Sequence, residues 1–107
     1  QLFITGRLKE LIKVKGFQVA PAELEDIIIS HDKIVDAAVI GVPHERTGET
    51  PKAFIVRKPG VKLSENEIKH FVAQRLSKHK HLGHAVFIDN IPKSAAGKIL
   101  RRELQKM

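Results

Sequence analysis

Two lysines flank a glycine turn near the start of the chain, in a stretch where apolar and charged residues alternate. Alternate residues of a strand share one face, so Lys13 and Lys15 are expected on one side together with Leu11, and Ile12 and Val14 on the other. Two cations beside Gly16 would suit a phosphate-bearing ligand. A solvated strand face next to a hairpin turn has the same pattern, and spacing alone does not separate the two interpretations.

A second cationic loop, residues 92–98, lies near the other end of the chain. Pro92 fixes the local backbone and Gly97 permits a positive φ. We expect Lys98 at the junction of this loop with a helix, where free N–H groups and the helix dipole favour anions. A P-loop is excluded, because it needs glycine where the chain has Pro92 and serine or threonine where it has Ile99. An anion-binding lysine and an ordinary exposed lysine both remain open.

Three histidines, His79, His81 and His84, form a short cluster of the kind that can bind metal. Lys78 and Lys80 lie between them and would repel a cation, and no carboxylate is adjacent. The chain also has no cysteine, which excludes disulfides and thiolate metal sites. We therefore expect a surface loop here and no metal ligand in the chain.

The elements that must position the N-terminal lysines follow from the apolar pattern. Short strands are predicted at residues 2–5, 11–14 and 17–19, the last two joined by a tight turn at Gly16. Pro21 then opens a helix, because apolar residues follow at i, i+3 and i+4 and acidic residues fill the first turns. The lysines are thus expected on a short β-hairpin that precedes a helix.

The rest of the pattern predicts a small sheet covered by helices. The predicted elements are a strand at 34–42 closed by Pro43, a polar loop at 44–50, a strand at 52–57, a helix opened by the capping box of Ser64 and Glu67, a strand at 86–88 and a helix at 99–106. Together they predict an α+β fold with a small central three-stranded sheet flanked by helices. The N-terminal β-hairpin is expected to stand apart from that sheet.

The composition fits one folded domain over residues 1–107, since 42% of the residues are hydrophobic and 29% are charged. No apolar run is long enough to span a membrane. A net charge of +7 favours anionic partners, from nucleic acids to nucleotides and coenzymes. All five aromatic residues are phenylalanines, and three of them lie in apolar runs, which leaves few to stack on single-stranded bases.

At both cationic segments the chain resembles one family. The run from Gly6 to Glu25 is similar to the hinge-and-hairpin motif of the acyl-CoA synthetases, above all the 4-coumarate–CoA ligases and beetle luciferases. Pro92-Lys93-Ser94 with Gly97-Lys98-Ile99-Leu100-Arg101-Arg102 resembles the C-terminal motif of the same adenylate-forming family. The resemblance covers nearly the whole chain, in order.

The resemblance implies that the chain is the small mobile C-terminal domain of an ATP-dependent acid–CoA ligase. Such an enzyme converts a carboxylic acid and Mg-ATP into an acyl-adenylate and pyrophosphate. The small domain then rotates, and CoA reacts to give a thioester and AMP. The implied partner is the enzyme's own N-terminal adenylating domain, which would hold most of the ATP and acid sites and the Mg²⁺. The 107 residues alone are expected to be inactive.

The resemblance also implies roles for seven residues. They are Lys98 in adenylation, Lys13 and Gln18 in the second conformation, Arg7 near the adenylate ribose, Lys15 and Gly16 at CoA, and Lys9 at the hinge. Adenylation develops negative charge on the α-phosphate and the leaving pyrophosphate, which a lysine brought in at that moment would stabilise. Many relatives carry Asp at the hinge, and lysine there is a trait of the 4-coumarate-ligase-like branch.

Two alternatives remain open from the sequence. The adenylated acid could pass to a carrier-protein pantetheine, or to oxygen as in luciferases, because the small domain looks much the same in all these enzymes. A basic nucleic-acid-binding α/β module is the alternative of another class, supported by the charge of +7. The acid itself is not readable here, since its pocket would lie in the other domain.

The chain ends bear on its origin and location. It starts at Gln1 within an apparent strand, so we expect a piece of a longer protein. Its last residues, 104–107, carry no peroxisomal Ser-Lys-Leu-type tripeptide. A cytoplasmic and a peroxisomal location both remain open.

Overall fold

The structure is a computed structural model that describes residues 11–46, 48–76 and 80–106. The strands are β1 (Ile12–Val14), β2 (Phe17–Val19), β3 (Ile34–His44), β4 (Gly48–Arg57) and β5 (His84–Phe87), and the helices are α1 (Pro21–Ile29), α2 (Glu65–Ala73) and α3 (Arg101–Gln105). The predicted α+β class is confirmed. The strand predicted at residues 2–5 lies outside the described residues.

One mixed sheet forms the centre of the molecule. Its order is β2-β1-β4-β3, and β5 also pairs with β4. β3 and β4 run antiparallel along their whole length, whereas β5 is parallel to β4. The strands predicted at 34–42, 52–57 and 86–88 correspond to β3, β4 and β5. They are confirmed as neighbours in one sheet, with β4 paired to both of the others.

The N-terminal hairpin belongs to this sheet, which corrects the expectation that it stands apart. Val14 of β1 pairs with Gly48 of β4, and the backbone N–H of Lys13 donates to the carboxylate of Glu49 at 2.8 Å. The physical reason is burial, because Ile12 and Val14 are 1% and 5% exposed and lie in the main core. An apolar strand face of this kind must be covered by the rest of the domain.

β3 and β4 are longer than predicted and shorten the loop between them. β3 continues through Pro43 to His44, and β4 begins at Gly48, so several residues of the polar loop expected at 44–50 belong to the two strands. β3 pairs only with β4 among the described strands. Proline lacks an N–H, and it is tolerated in an edge strand where that N–H would not join the ladder.

The helices begin where local sequence signals place them, with one exception. Pro21 opens α1, and the capping box of Ser64 and Glu67 opens α2, as predicted. α3 begins at Arg101 and not at Ile99, because Ile99 pairs with Lys93 in an isolated bridge. No helix in the described part of the chain is long and apolar enough to cross a membrane.

Apolar cores cover both faces of the sheet. Val39 and Ile55 belong to the larger cluster with residues of α1 and α2, whereas Ile40 and Phe54 belong to a second cluster. Successive strand residues point to opposite faces, so the two clusters lie on opposite sides. α1 and α2 cover one side, and α3 with the loop before it, through Leu104 and other apolar residues, covers the second side.

Candidate active-site segments

The hairpin presents one lysine and one glutamine side by side. Lys13 of β1 lies directly opposite Gln18 of β2 in the strand register. Both side chains are exposed, while Ile12 and Val14 on either side of Lys13 are buried. The predicted alternation is confirmed, and directly opposed residues of a strand pair have neighbouring side chains. Lys13 and Gln18 can therefore contact one ligand together.

A tight turn connects the two hairpin strands. Lys15 and Gly16 have φ values of 52° and 84°, which makes this a turn with positive φ at both central residues. That turn type matches the right-handed twist of the strands it joins. A Cβ built on Gly16 would meet no atom within 4 Å. The tip is thus open to a ligand, and the exposed Lys15 lies beside it.

Glu49 attaches the hairpin to the sheet, a role that the sequence did not reveal. Its carboxylate accepts the backbone N–H of Lys13 at 2.8 Å. Gly41 makes room for this arrangement, because a Cβ there would lie 3.1 Å from the Ile12 side chain and 3.3 Å from Glu49 Oε2. Glu49 and Lys13 are distant in sequence, and only the pairing of β1 with β4 brings them together.

Lys98 lies on the returning limb of a small hairpin-like loop. The Ser94 N–H donates to the Lys98 carbonyl at 2.8 Å, and the Lys98 N–H donates to Ser94 Oγ at 3.3 Å. The Gly97 N–H donates to the Ser94 carbonyl at 2.9 Å, and Gly97 has a φ of 84°. The exposed side chain of Lys98 therefore projects from a loop with internal hydrogen bonds.

This geometry corrects the expected position of Lys98 at the start of a helix. α3 begins three residues later, at Arg101. Its short length of five residues gives little dipole, and the N–H of Lys98 is already bonded to Ser94. Any action of Lys98 on an anion must therefore come from its own charge.

Both ends of this loop are attached to β3. Lys93 Nζ lies 2.7 Å from Asp36 Oδ2. At the other end, the Arg101 guanidinium lies 2.6 Å from the Glu25 carboxylate and donates to the Val39 carbonyl at 2.8 Å. No local pattern predicts either pair, because Glu25 is one of three acidic residues in α1 and its partner Arg101 is distant in the sequence.

The two cationic segments are attached to separate stretches of β3. The Lys98 loop is attached at Asp36 and, through Arg101, at Val39, whereas β1 pairs with Gly48, the partner of His44 at the last residue. From Asp36 to His44 the strand advances eight residues, which is about 26 Å at roughly 3.3 Å per residue. The structure thus attaches the two predicted sites to separate stretches of one strand.

The key lysines have free charges within the described part of the chain. Lys13, Lys15 and Lys98 form no ion pair with another described residue, in contrast to Lys80 and Lys93. Unpaired exposed cations on a rigid support can meet phosphate or carboxylate groups of a ligand. Both segments are therefore suited to anionic substrates.

Three predicted features fall wholly or partly outside the described residues. Arg7 and Lys9 precede residue 11, and His79 lies between residues 76 and 80. Of the other two clustered histidines, His81 contacts the Leu76 carbonyl at 3.2 Å through Nε2, and His84 lies on β5. Across residues 11–46, 48–76 and 80–106 no group of three or more His, Cys, Asp or Glu could hold a metal ion.

Comparison with known proteins gives one consistent result. The family model described as "AMP-binding enzyme C-terminal domain" matches residues 23–98. Two similar curated proteins are 4-coumarate–CoA ligase-like 2 of Arabidopsis thaliana, 53% identical over 99% of this chain, and 4-coumarate–CoA ligase CCL1 of Humulus lupulus, 52% identical over 98%. The chain spans 19% of the length of each.

Solved structures agree with the sequence relatives. A Mycobacterium tuberculosis fatty acyl CoA synthetase is 36% identical, with a TM-score of 0.85 over 94% of this chain and 20% of its own. The amide bond synthetase McbA from Marinactinospora thermotolerans is 26% identical, with a TM-score of 0.87 over 94% of this chain and 21% of its own. The same small fold thus occurs in a fatty acyl CoA synthetase and in an amide bond synthetase.

Proposed function

Because the chain belongs to the AMP-binding enzyme C-terminal domain family, we propose that it is the small mobile domain of an ATP-dependent acid–CoA ligase. The chain spans about a fifth of the 4-coumarate–CoA ligases it matches. In this proposal the remaining four fifths supply the N-terminal adenylating domain, its partner. That domain would hold the acid, most of the ATP and the Mg²⁺.

The observation that carries the proposal is the attachment of two segments with exposed lysines to separate stretches of β3, whose attachment points Asp36 and His44 lie about 26 Å apart along the strand. Segments attached to separate stretches of one strand are more readily presented to a single active site in turn than together. A domain that rotates can present the Lys98 loop in one step and the hairpin in the next. This arrangement supports two conformations, one for each half-reaction.

In the first half-reaction, an oxygen of the substrate carboxylate bonds to the α-phosphorus of ATP, and the bond from that phosphorus to pyrophosphate breaks. Negative charge grows on the α-phosphate oxygens and the leaving group. Lys98, exposed on its loop, would donate N–H hydrogen bonds to these oxygens and stabilise their negative charge with its own positive charge. Stabilisation of charge that develops only in the transition state accelerates the chemical step.

In the second half-reaction, the sulfur of CoA bonds to the acyl carbon, the bond from that carbon to AMP breaks, and the thiol proton is lost. Lys13 and Gln18, opposite each other on the hairpin, would contact the groups that change charge. The open space above Gly16 would admit the pantetheine arm, and Lys15 beside it would contact CoA. Arg7 near the adenylate ribose and Lys9 at the hinge complete the proposed set.

The proposal also specifies CoA as the acyl acceptor. CoA is supported by the names of the relatives that are 53% and 52% identical. The likeness to an amide bond synthetase, at 26% identity, shows that this fold also serves another acceptor. Release of AMP from a supplied acyl-adenylate, tested separately with CoA, a pantetheine-bearing carrier protein and amines, would identify the acceptor.

The decisive experiment separates the half-reactions in the full-length enzyme. We expect Lys98→Ala to lose adenylate formation by about 100-fold or more, the size of effect seen when one charge-stabilising donor is removed. The same variant should still convert a supplied acyl-adenylate into thioester. Lys13→Ala should show the larger loss in the thioester step. Pyrophosphate release reports the first step, and thioester formation reports the second.

A matched control is Lys62→Ala, which removes an exposed lysine from the loop before α2, outside both segments. It should leave both steps near wild-type rates. If Lys98→Ala and Lys13→Ala fail equally in both half-reactions, the assignment of one segment to each conformation is wrong.

A further inference from the structure

We propose that Arg101 is a positioning residue for Lys98, acting with Glu25 as a clamp that fixes the Lys98 loop to the free edge of β3. The proposal rests on the acid–CoA ligase function above and adds residues that would not touch the substrate. The clamp would affect adenylation, the step in which Lys98 acts, and not the thioester step assigned to the hairpin.

The clamp is the most buried ion pair among the described residues. The side chain of Glu25 is 9% exposed and that of Arg101 is 18% exposed, whereas the Lys93–Asp36 pair is 39% and 25% exposed. Arg101 also donates to Glu25 with its second terminal nitrogen, at 3.4 Å. Two-point contact between a guanidinium and a carboxylate fixes orientation as well as distance.

Both members of the clamp also bond to the backbone of Val39. The Val39 N–H donates to Glu25 Oε2 at 2.8 Å, and the Val39 carbonyl accepts from Arg101 at 2.8 Å. β3 pairs only with β4 among the described strands, so these backbone groups face the free edge. Glu25 and Arg101 together occupy the place of a neighbouring strand, because buried backbone groups must find partners.

A short, hydrogen-bonded path runs from the clamp to Lys98. The N–H of Leu100, next to Arg101, donates to the Pro92 carbonyl at 2.9 Å. The following bonds of the loop join Ser94 to Lys98 in both directions. Loss of the clamp would leave the loop attached by the more exposed Lys93–Asp36 pair and by the apolar contacts of Ile91 and Ile99 with the second core. Exposed ion pairs contribute little to holding a segment in place.

The test variant must avoid leaving a buried charge without its partner, which destabilises strongly. The double variant Glu25→Gln/Arg101→Met removes both charges and retains an oxygen that can accept the Val39 N–H. Methionine has a length similar to the arginine stem but cannot donate to the Val39 carbonyl. Replacement of a buried pair by neutral groups of similar volume is often close to neutral for stability.

In the full-length enzyme we expect this double variant to lower kcat for adenylate formation by about 10- to 100-fold, with little change in the KM for ATP. Thioester formation from supplied acyl-adenylate should stay within about twofold of wild type, since displacement of the Lys98 loop should affect only the step it serves. Hydrogen exchange should become faster at the amides of residues 94–100 and stay unchanged at residues 12–19. The single variant Arg101→Lys, which keeps the positive charge opposite Glu25, should have a higher adenylation rate than the double variant.

Lys80→Ala is the matched control, because it removes another ion pair of α1, with Glu23 at 2.9 Å, that does not touch the Lys98 loop. It should leave both half-reactions near wild type. Equal losses in both half-reactions of the double variant, or unchanged adenylation and unchanged exchange at residues 94–100, would overturn the positioning role. Failure of the proposed function itself looks different, since Lys98→Ala would then leave adenylate formation intact.

Discussion

At the scale of single residues, Lys15 combines an unfavourable backbone with an exposed charge. Its φ of 52° lies in the left-handed region, where asparagine and glycine are favoured and lysine is not. The turn would be more stable with Asn-Gly, the pair that this turn type prefers. Folding alone does not favour lysine here, whereas the proposed contact with CoA would.

Lys15→Asn tests this explanation. We expect the free energy of unfolding to stay the same or to rise by up to about 1 kcal/mol, because asparagine adopts positive φ more readily. The KM for CoA should rise several-fold, since a cation next to the proposed CoA path is lost. Denaturant unfolding and steady-state kinetics measure the two effects. Lys62→Asn, the same change at an exposed loop position, should alter neither; a lower stability of Lys15→Asn would contradict the strain at this turn.

At the scale of elements, Glu65 ties the first turn of α2 to β5. Its carboxylate accepts the Ala85 N–H at 3.2 Å and pairs with Lys69 at 3.2 Å. The backbone hydrogen bond from Ala85, followed by the interaction with Lys69, lowers the pKa of Glu65 below its ordinary value. A lowered pKa in the folded state means that the ionised form stabilises the fold.

The stabilisation by Glu65 is present at neutral pH and disappears as the pH falls through the lowered pKa, below the ordinary glutamate range. We expect Glu65→Gln to lower the free energy of unfolding at pH 7, because a neutral amide accepts a weaker hydrogen bond than a carboxylate. The difference from wild type should shrink as the solution is acidified. Denaturant unfolding across a pH series measures it, with Glu103→Gln, from an exposed pair with Lys106, as the control. A gap that stays constant down to acidic pH would contradict the role of the ionised carboxylate.

At the scale of the whole molecule, the chain has its own core, and in the proposed function it supplies only part of an active site. Its radius of gyration of 13.4 Å is close to the ~13 Å typical of a folded domain of this length. Apolar clusters cover both faces of the sheet. Lys13, Lys15 and Lys98, in contrast, are exposed, and in the proposed function a partner domain would close over the substrate against them.

We therefore expect residues 1–107 alone to fold and to catalyse nothing. Circular dichroism should show cooperative thermal unfolding, because a single continuous sheet connects both cores. Neither pyrophosphate release from acid and ATP nor thioester formation from supplied acyl-adenylate should exceed the rate without protein. The full-length enzyme is the positive control. Turnover by the isolated chain would show that the active site is not divided between two domains.

Much of the fold follows from local signals in the sequence. The turn at Gly16, the proline at the start of α1 and the capping box of Ser64 each depend on residues only a few positions apart. The alternation around Lys13 likewise depends on the two-residue repeat of a strand. The two cationic motifs could be recognised for the same reason, since each is contiguous.

Only the tertiary structure decided how these pieces are joined. The hairpin joins the sheet through Glu49, β3 continues through Pro43 at a free edge, and Lys98 lies on a loop held through Arg101 and Glu25. Each of these depends on which backbone groups remain unpaired once the strands are in register. That register is set by burial of residues far apart in the chain, so no local pattern contains it.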